Sequence, residues 1–135
     1  MKSSTNSAES NGESIDEIFQ EIKKRDFTRE AEIFKALGHP IRLKIVYGLL
    51  RVGGCNVKNM QECLGLHQAT VSQHLIHLKS RGLISSARNG LEMIYSVTEP
   101  WAERIVDMIA EMDENAAGRT EAASLGKKHS DHLTI

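Results

Sequence analysis

A chain of 135 residues has material for one domain with a real core and too little for two. Seventeen Lys and Arg against eighteen Asp and Glu leave a formal net charge of −1, so any affinity for nucleic acid must come from where the charges sit, and two cysteines are too few for a disulfide framework. No apolar run approaches the ~20 residues that cross a bilayer, and Met1 to Ser10 lack the apolar stretch of a secretory signal, so a cytoplasmic protein with reduced thiols and no membrane partner is expected.

Residues 1–13 are rich in Ser, Asn and Glu, show no apolar periodicity and read as a disordered tail. Ser14, with Glu17 three places on, forms a capping-box pattern that opens a helix to about residue 25, whose apolar face is Ile15, Ile18, Phe19 and Ile22. A second helix is expected over 27–37, with Phe27, Ala31, Phe34 and Leu37 inward and Gly38 as its end. Pro40 suits the first turn of a third helix reaching about Arg51, with Ile41, Ile45, Val46, Leu49 and Leu50 inward. Gly53-Gly54 breaks the chain before a short helix over 57–64 that turns Val57, Met60 and Leu64 to the core and stops at Gly65.

The stretch from Leu64 to Leu83 carries most of the information. Val71, Leu75 and Leu78 recur at i, i+4 and i+7, a narrow apolar stripe that leaves Gln68, Thr70, Ser72, Gln73 and His77 facing outward. Amides and hydroxyls are the groups that pair with base edges in a major groove, so this reads as a DNA recognition helix entered through a short turn. Arg81-Gly82 can end it, and the β-prone runs Leu83–Arg88 and Leu91–Thr98 flank Asn89-Gly90, a strong hairpin signal. The fold class that results is mainly α with a small β-hairpin: a winged helix-turn-helix.

Thr98 is expected to cap a last helix from Pro100 to about Glu114, with Trp101, Ile105, Met108, Ile109 and Met112 along one side. Such a stripe exceeds what a small core can absorb, and it is expected, with Ile18 and Phe19 of the first helix, to pack against a second subunit. The domain is thus drawn over 14–114, and 115–135 reads as a second unstructured tail. Charge follows the same division: residues 35–98 hold eight Lys and Arg against two acids, while 1–34 hold five against eight and 99–135 four against eight. A basic centre between acidic ends puts the electrostatic footprint on the helix-turn-helix and the wing.

Three segments together, Ala36-Leu37-Gly38-His39-Pro40-Ile41-Arg42, then Gln68-Ala69-Thr70-Val71-Ser72-Gln73-His74-Leu75, then Arg88-Asn89-Gly90 with Tyr95-Ser96-Val97, resemble the ArsR/SmtB family of winged-helix transcriptional repressors over about Glu30 to Met112. The resemblance implies a homodimer that binds double-stranded operator DNA and releases it when a small inducer is sensed. By position it implies that Gln68, Ala69, Thr70, Ser72 and Gln73 meet the groove and that Arg88 reaches the minor groove or backbone beside it. On chemistry alone, Gln68 and Gln73 donate and accept together at base edges, Thr70 and Ser72 suit phosphate, and Lys79, Arg81 and Arg42 are candidates for general backbone attraction or for plain surface charge. His74 is open between a half-buried hydrogen-bonded place and a DNA contact, and His39 is expected to bond backbone at its helix start.

Against the metal-sensing members of that family the sequence differs. A soft-metal site there has Cys-Val-Cys where this chain has Asn56-Val57-Lys58, and the last helix has Asp107, Glu111, Asp113 and Glu114 but no histidine, so no metal and no cofactor are expected; His129, Asp131 and His132 lie in the tail. Cys55 and Cys63 remain as a candidate thiol sensor. Eight residues of helix rise ~12 Å and disulfide geometry wants Cα atoms under ~7 Å apart, so an intrachain bond would need the helix to unwind. The residues leave the inducer unnamed. Two other readings stand beside the operator-binding repressor at this point: a winged-helix protein-interaction module without operator specificity, and a redox- or sulfur-responsive repressor using the two thiols. With no Gly-rich phosphate loop and no nucleophile beside a base, an enzyme is not expected.

Overall fold

The computed structural model describes residues 12–123, with side chains to residue 118. The order of elements is α1 (Ile15–Lys24), α2 (Thr28–Leu37), α3 (Pro40–Val52), α4 (Val57–Leu64), α5 (Gln68–Ser80), β1 (Ile84–Asn89), β2 (Glu92–Val97) and α6 (Pro100–Ala123). The chain divides after Glu32 into two compact units. Tail residues 1–11 and 124–135, with His129, Asp131 and His132 among them, lie outside the described residues.

Helix boundaries follow local chemistry. The Ser14 hydroxyl accepts from the Glu17 backbone N–H at 3.2 Å and donates to the Glu17 carboxylate at 3.1 Å, so the capping pair forms, although the carboxylate bonds the hydroxyl rather than the backbone. His39 Nδ1 accepts from the Ile41 N–H at 3.1 Å and Asn56 Oδ1 from the Asn59 N–H at 2.7 Å, each taking up a donor that a helix start leaves unpaired. Gly65 ends α4 with φ +68°, a conformation that costs a side-chain-bearing residue energy, and so makes the sharp turn into α5.

A single apolar core joins Ile33, Ala36 and Leu37 of α2, Ile45, Val46 and Leu49 of α3, Met60 of α4, Val71, Leu75 and Leu78 of α5, Leu83, Ile84 of β1, and Ala102 and Val106 of α6. The expected stripe of α5 is therefore its buried face. Each such Leu or Val contributes about 1.5–3 kcal/mol relative to exposure, which makes this packing, rather than helix propensity, the reason α5 is held in one orientation.

Four expectations are corrected. On α2 the inward side is Ile33, Ala36 and Leu37, while Phe27, Ala31 and Phe34 are exposed; two stripes a third of a turn apart both fit a helical period, and packing selects the more aliphatic one. In the hairpin Asn89 pairs with Glu92, so the two-residue turn is Gly90-Leu91 rather than Asn89-Gly90, with Gly90 at φ +68° supplying the left-handed position. The start of α6 is bonded by Glu99, whose carboxylate accepts from the Trp101 N–H at 3.0 Å, while the Thr98 N–H donates to Leu83 C=O at 2.9 Å. Finally α6 continues nine residues beyond Glu114, to Ala123, through a stretch in which four of the nine residues are Ala, the best helix former.

Candidate nucleic-acid interface

Helix α5 presents Gln68, Ala69 and Gln73 exposed and Thr70 and Ser72 half-buried, with Ala69 and Gln73 opposite Val71, Leu75 and Leu78. Spacing of three and four puts Ala69, Ser72, Gln73 and Ile76 on one surface strip. Ile76 is 62% exposed there, an apolar side chain on the strip, suited to a thymine methyl. The same periodicity that picks out Ser72 and Gln73 points to Ile76, and only attention to polar residues passes it over.

The wing is fastened to this helix and to the segment that precedes α4. Lys79 Nζ donates to Ser86 Oγ at 2.7 Å, joining the last turn of α5 to β1. Ser72, Leu75, Ile76, Lys79 and Tyr95 line one depression between helix and wing. At the wing's base Cys55 pairs with Tyr95 through two backbone hydrogen bonds of 3.0 and 2.9 Å, in effect a third short strand. This approach needs Gly54: a Cβ there would stand 3.0 Å from Ile94 Cγ2, at a φ of +157°. Arg88 is exposed near the tip, and Leu91, in the turn itself, is 98% exposed.

The remaining basic candidates are placed differently from one another. Lys79 is engaged with Ser86, and Arg81 sits at the C-terminal cap of α5. Arg42 lies apart from the strip: its Nε donates to Ala36 C=O at 2.6 Å and its Nη2 to Lys35 C=O at 3.4 Å, so the guanidinium closes the end of α2. Beside it the His39 and His74 rings meet at 4.5 Å with a 50° tilt. Burial first, then the neighbouring His39 and Arg42, hold His74 below the ordinary imidazole value, which favours its neutral form at the root of α5.

Cys55 and Cys63 are free thiols, the first half-buried and the second exposed. Burial, and next the proximity of Cys63, push the Cys55 thiol above its ordinary value, so this sulfur stays protonated near neutral pH and is a poor nucleophile. Among the described residues no three His, Cys, Asp or Glu side chains gather in a way that would hold a metal ion, and no helix is long and apolar enough to cross a membrane.

Ala102 and Val106 turn one side of α6 into the core. Trp101 (51%), Met108 and Met112 (63%) are exposed on another side, with Ile105 and Ile109 half-buried. Phe34, Trp101, Ile105 and Met108 border an open groove of about 640 Å³, edged by Arg104, Asp107 and Glu111. On α1, Phe19 is exposed and Ile18 half-buried.

The model of the bacterial regulatory protein, arsR family, matches residues 39–86, from the α3 cap through the helix-turn-helix into β1. The transcriptional repressor PagR of Bacillus anthracis is 39% identical over 92 residues, which cover 68% of this chain and 92% of PagR. Its crystal structure aligns with a TM-score of 0.57 at 34% identity, covering 67% of this chain and 98% of that one. The crystal structure of the transcriptional repressor BigR from Xylella fastidiosa aligns with a TM-score of 0.62 at 30% identity, over 70% and 94% of the two chains. An identity of that size along nearly the whole of PagR, on the same winged-helix frame, makes this chain a member of the arsR family of bacterial regulatory proteins, a family of transcriptional regulators and not of enzymes.

Proposed function

We propose that the protein is a homodimeric, sequence-specific repressor acting in the cytoplasm, which reads an operator through Gln68, Ala69, Thr70, Ser72 and Gln73 of α5 and braces itself with Arg88 of the wing. The observation that carries this reading is the exposed strip of α5, amide and hydroxyl in character, tied to the wing by the Lys79–Ser86 hydrogen bond. Lys79 and Arg81 supply backbone attraction at the strip's end; Arg42, engaged at the end of α2, contributes to the local field. The functional domain is 14–114 as read from the sequence, with the described part of 115–123 extending its last helix.

The second subunit is proposed to cover Trp101, Ile105, Met108, Ile109 and Met112, with Ile18 and Phe19 of α1 adding to the interface. A two-fold dimer places its two recognition helices in successive major grooves, so the operator is an imperfect palindrome with half-sites about one helical turn apart. The test is an electrophoretic shift with the DNA upstream of the protein's own gene. Nanomolar-range binding that weakens steeply with added salt is expected. Equal affinity for random DNA at about 0.15 M salt would reject sequence-specific recognition.

A further inference from the structure

Helices α3 and α4, with Cys55 before α4, border a half-open cavity of about 150 Å³ that is lined almost wholly by apolar atoms, with Gly48, Val52 and Cys63 of its rim exposed. Three sulfur-bearing side chains, Cys55, Met60 and Cys63, face into it, and Lys44 and Asn59, both exposed, stand at its mouth. Gly48 of α3 is a further part of the wall. It sits inside a helix, where glycine is less stable than alanine, and a Cβ there would meet nothing within 4 Å. Neither close packing nor a left-handed backbone calls for glycine at this point. Its effect is to leave the cavity open.

The chemistry of the walls defines an occupant. An apolar cavity of about this size holds a single benzene ring, and thioether and thiol sulfurs make favourable contacts with aromatic ring edges. The Sγ–H of Cys55 donates to Asn56 C=O at 3.4 Å and burial pushes its pKa up, so this thiol, like the Met60 thioether, serves as a neutral, polarisable wall rather than as a reagent. At the mouth, the Lys44 ammonium and the Asn59 amide are donors for one oxygen on the ring. The walls are also shared with the nucleic-acid interface: Cys55 is hydrogen-bonded through its backbone to Tyr95 in β2, and α4 leads through Gly65 into α5.

We propose that this cavity is an effector site for a small neutral aromatic molecule of one ring bearing a hydroxyl group, a simple phenol, whose binding weakens the hold of α5 and the wing on DNA. The binding half stands on the cavity alone; the effect on DNA rests on the operator-binding reading above. A ligand shifts the protein between conformations by its difference in affinity for them, and here that difference arises at walls that carry both DNA-contacting elements.

The probe is phenol, added to the full chain labelled with ¹³C at its methionine methyl groups. The Met60 methyl signal is expected to move saturably, with cyclohexanol at least about ten-fold weaker because it lacks the ring. Gly48→Leu, which fills the open space with a good helix former, should abolish the shift, and the smaller Gly48→Ala, which keeps the fold in any event, should reduce it. In parallel, saturating phenol should lower operator affinity about ten-fold in the native chain, a typical size of coupling between sites, and leave Gly48→Leu unaffected. A motionless Met60 signal, an equal shift in Gly48→Leu, or full occupancy with unchanged operator affinity would each overturn the proposal. If the native chain binds no operator in the absence of phenol, the operator-binding reading fails, while the Met60 signal still decides the cavity.

Discussion

Gln73 stands exposed on α5, within one turn of Ala69, Ser72 and Ile76, and carries both a donor and an acceptor, so a base pair is the partner it suits. Truncation in Gln73→Ala should cost about 1–3 kcal/mol on the operator and little on random DNA; fluorescence anisotropy on both would show it, and an equal loss on the two would make Gln73 a backbone contact. Arg88→Ala should behave in the opposite way, weakening all sequences alike and lowering the slope of log affinity against log salt by about 1. His74 belongs to the interior side of the same helix. Its proton affinity is lowered in the fold by burial, His39 and Arg42, so the unfolded chain binds the proton first as pH falls. Stability is then full above about pH 6.5 and declines as the pH drops through the lowered native value. Urea midpoints measured between about pH 7 and pH 5 should fall in the native chain and fall less in His74→Gln; identical slopes would remove His74 as the cause.

At the scale of elements, the wing depends on one backbone approach. Gly54 lets Cys55 come within hydrogen-bonding reach of Tyr95; a Cβ there would stand 3.0 Å from Ile94 Cγ2, at φ +157°, so a side chain would both strain the backbone and push Ile94. Gly54→Ala should destabilise the protein by more than about 1 kcal/mol and speed amide exchange at Cys55 and Tyr95 ahead of the α5 core. Unchanged exchange at those two amides would show that the wing is held elsewhere. Helix α5 owes its position mainly to burial of Val71, Leu75 and Leu78, which are 0–2% exposed, whereas its polar strip is exposed or half-buried. This division lets the strip vary for recognition while the helix keeps its seat.

For the whole molecule the decisive feature is that α6 buries Ala102 and Val106 in its own core, packs Ile105 against it, and leaves Trp101, Met108 and Met112 outside. This exposed face is the one the proposed second subunit would cover. Light scattering should report twice the 15.0 kDa of the chain, and Met108→Glu should return it to one copy and, with the second half-site lost, weaken operator binding. A native chain that scatters as a monomer at micromolar concentration would reject the dimer.

Elements were legible in this sequence because their signals are local. The 3.6-residue period of Val71, Leu75 and Leu78, the caps at Ser14 and His39, and the stops at Gly65 and Gly82 act within a turn of helix, so they need no knowledge of the rest of the chain. The strip proposed for recognition follows from the same period, which also includes Ile76, an apolar position that a search for polar residues passes over. Long-range packing decided the remainder. Phe34 and Ile33 fit a helix equally well, and only packing into the shared core sends Ile33 inward; Arg42 has the chemistry of a DNA contact, and only the nearness of the α2 end draws it to Ala36 and Lys35. The cavity lined by α3, α4 and Cys55 is of this second kind as well: Gly48, Cys55 and Cys63 are scattered points along the chain, and only the folded chain brings them to one wall.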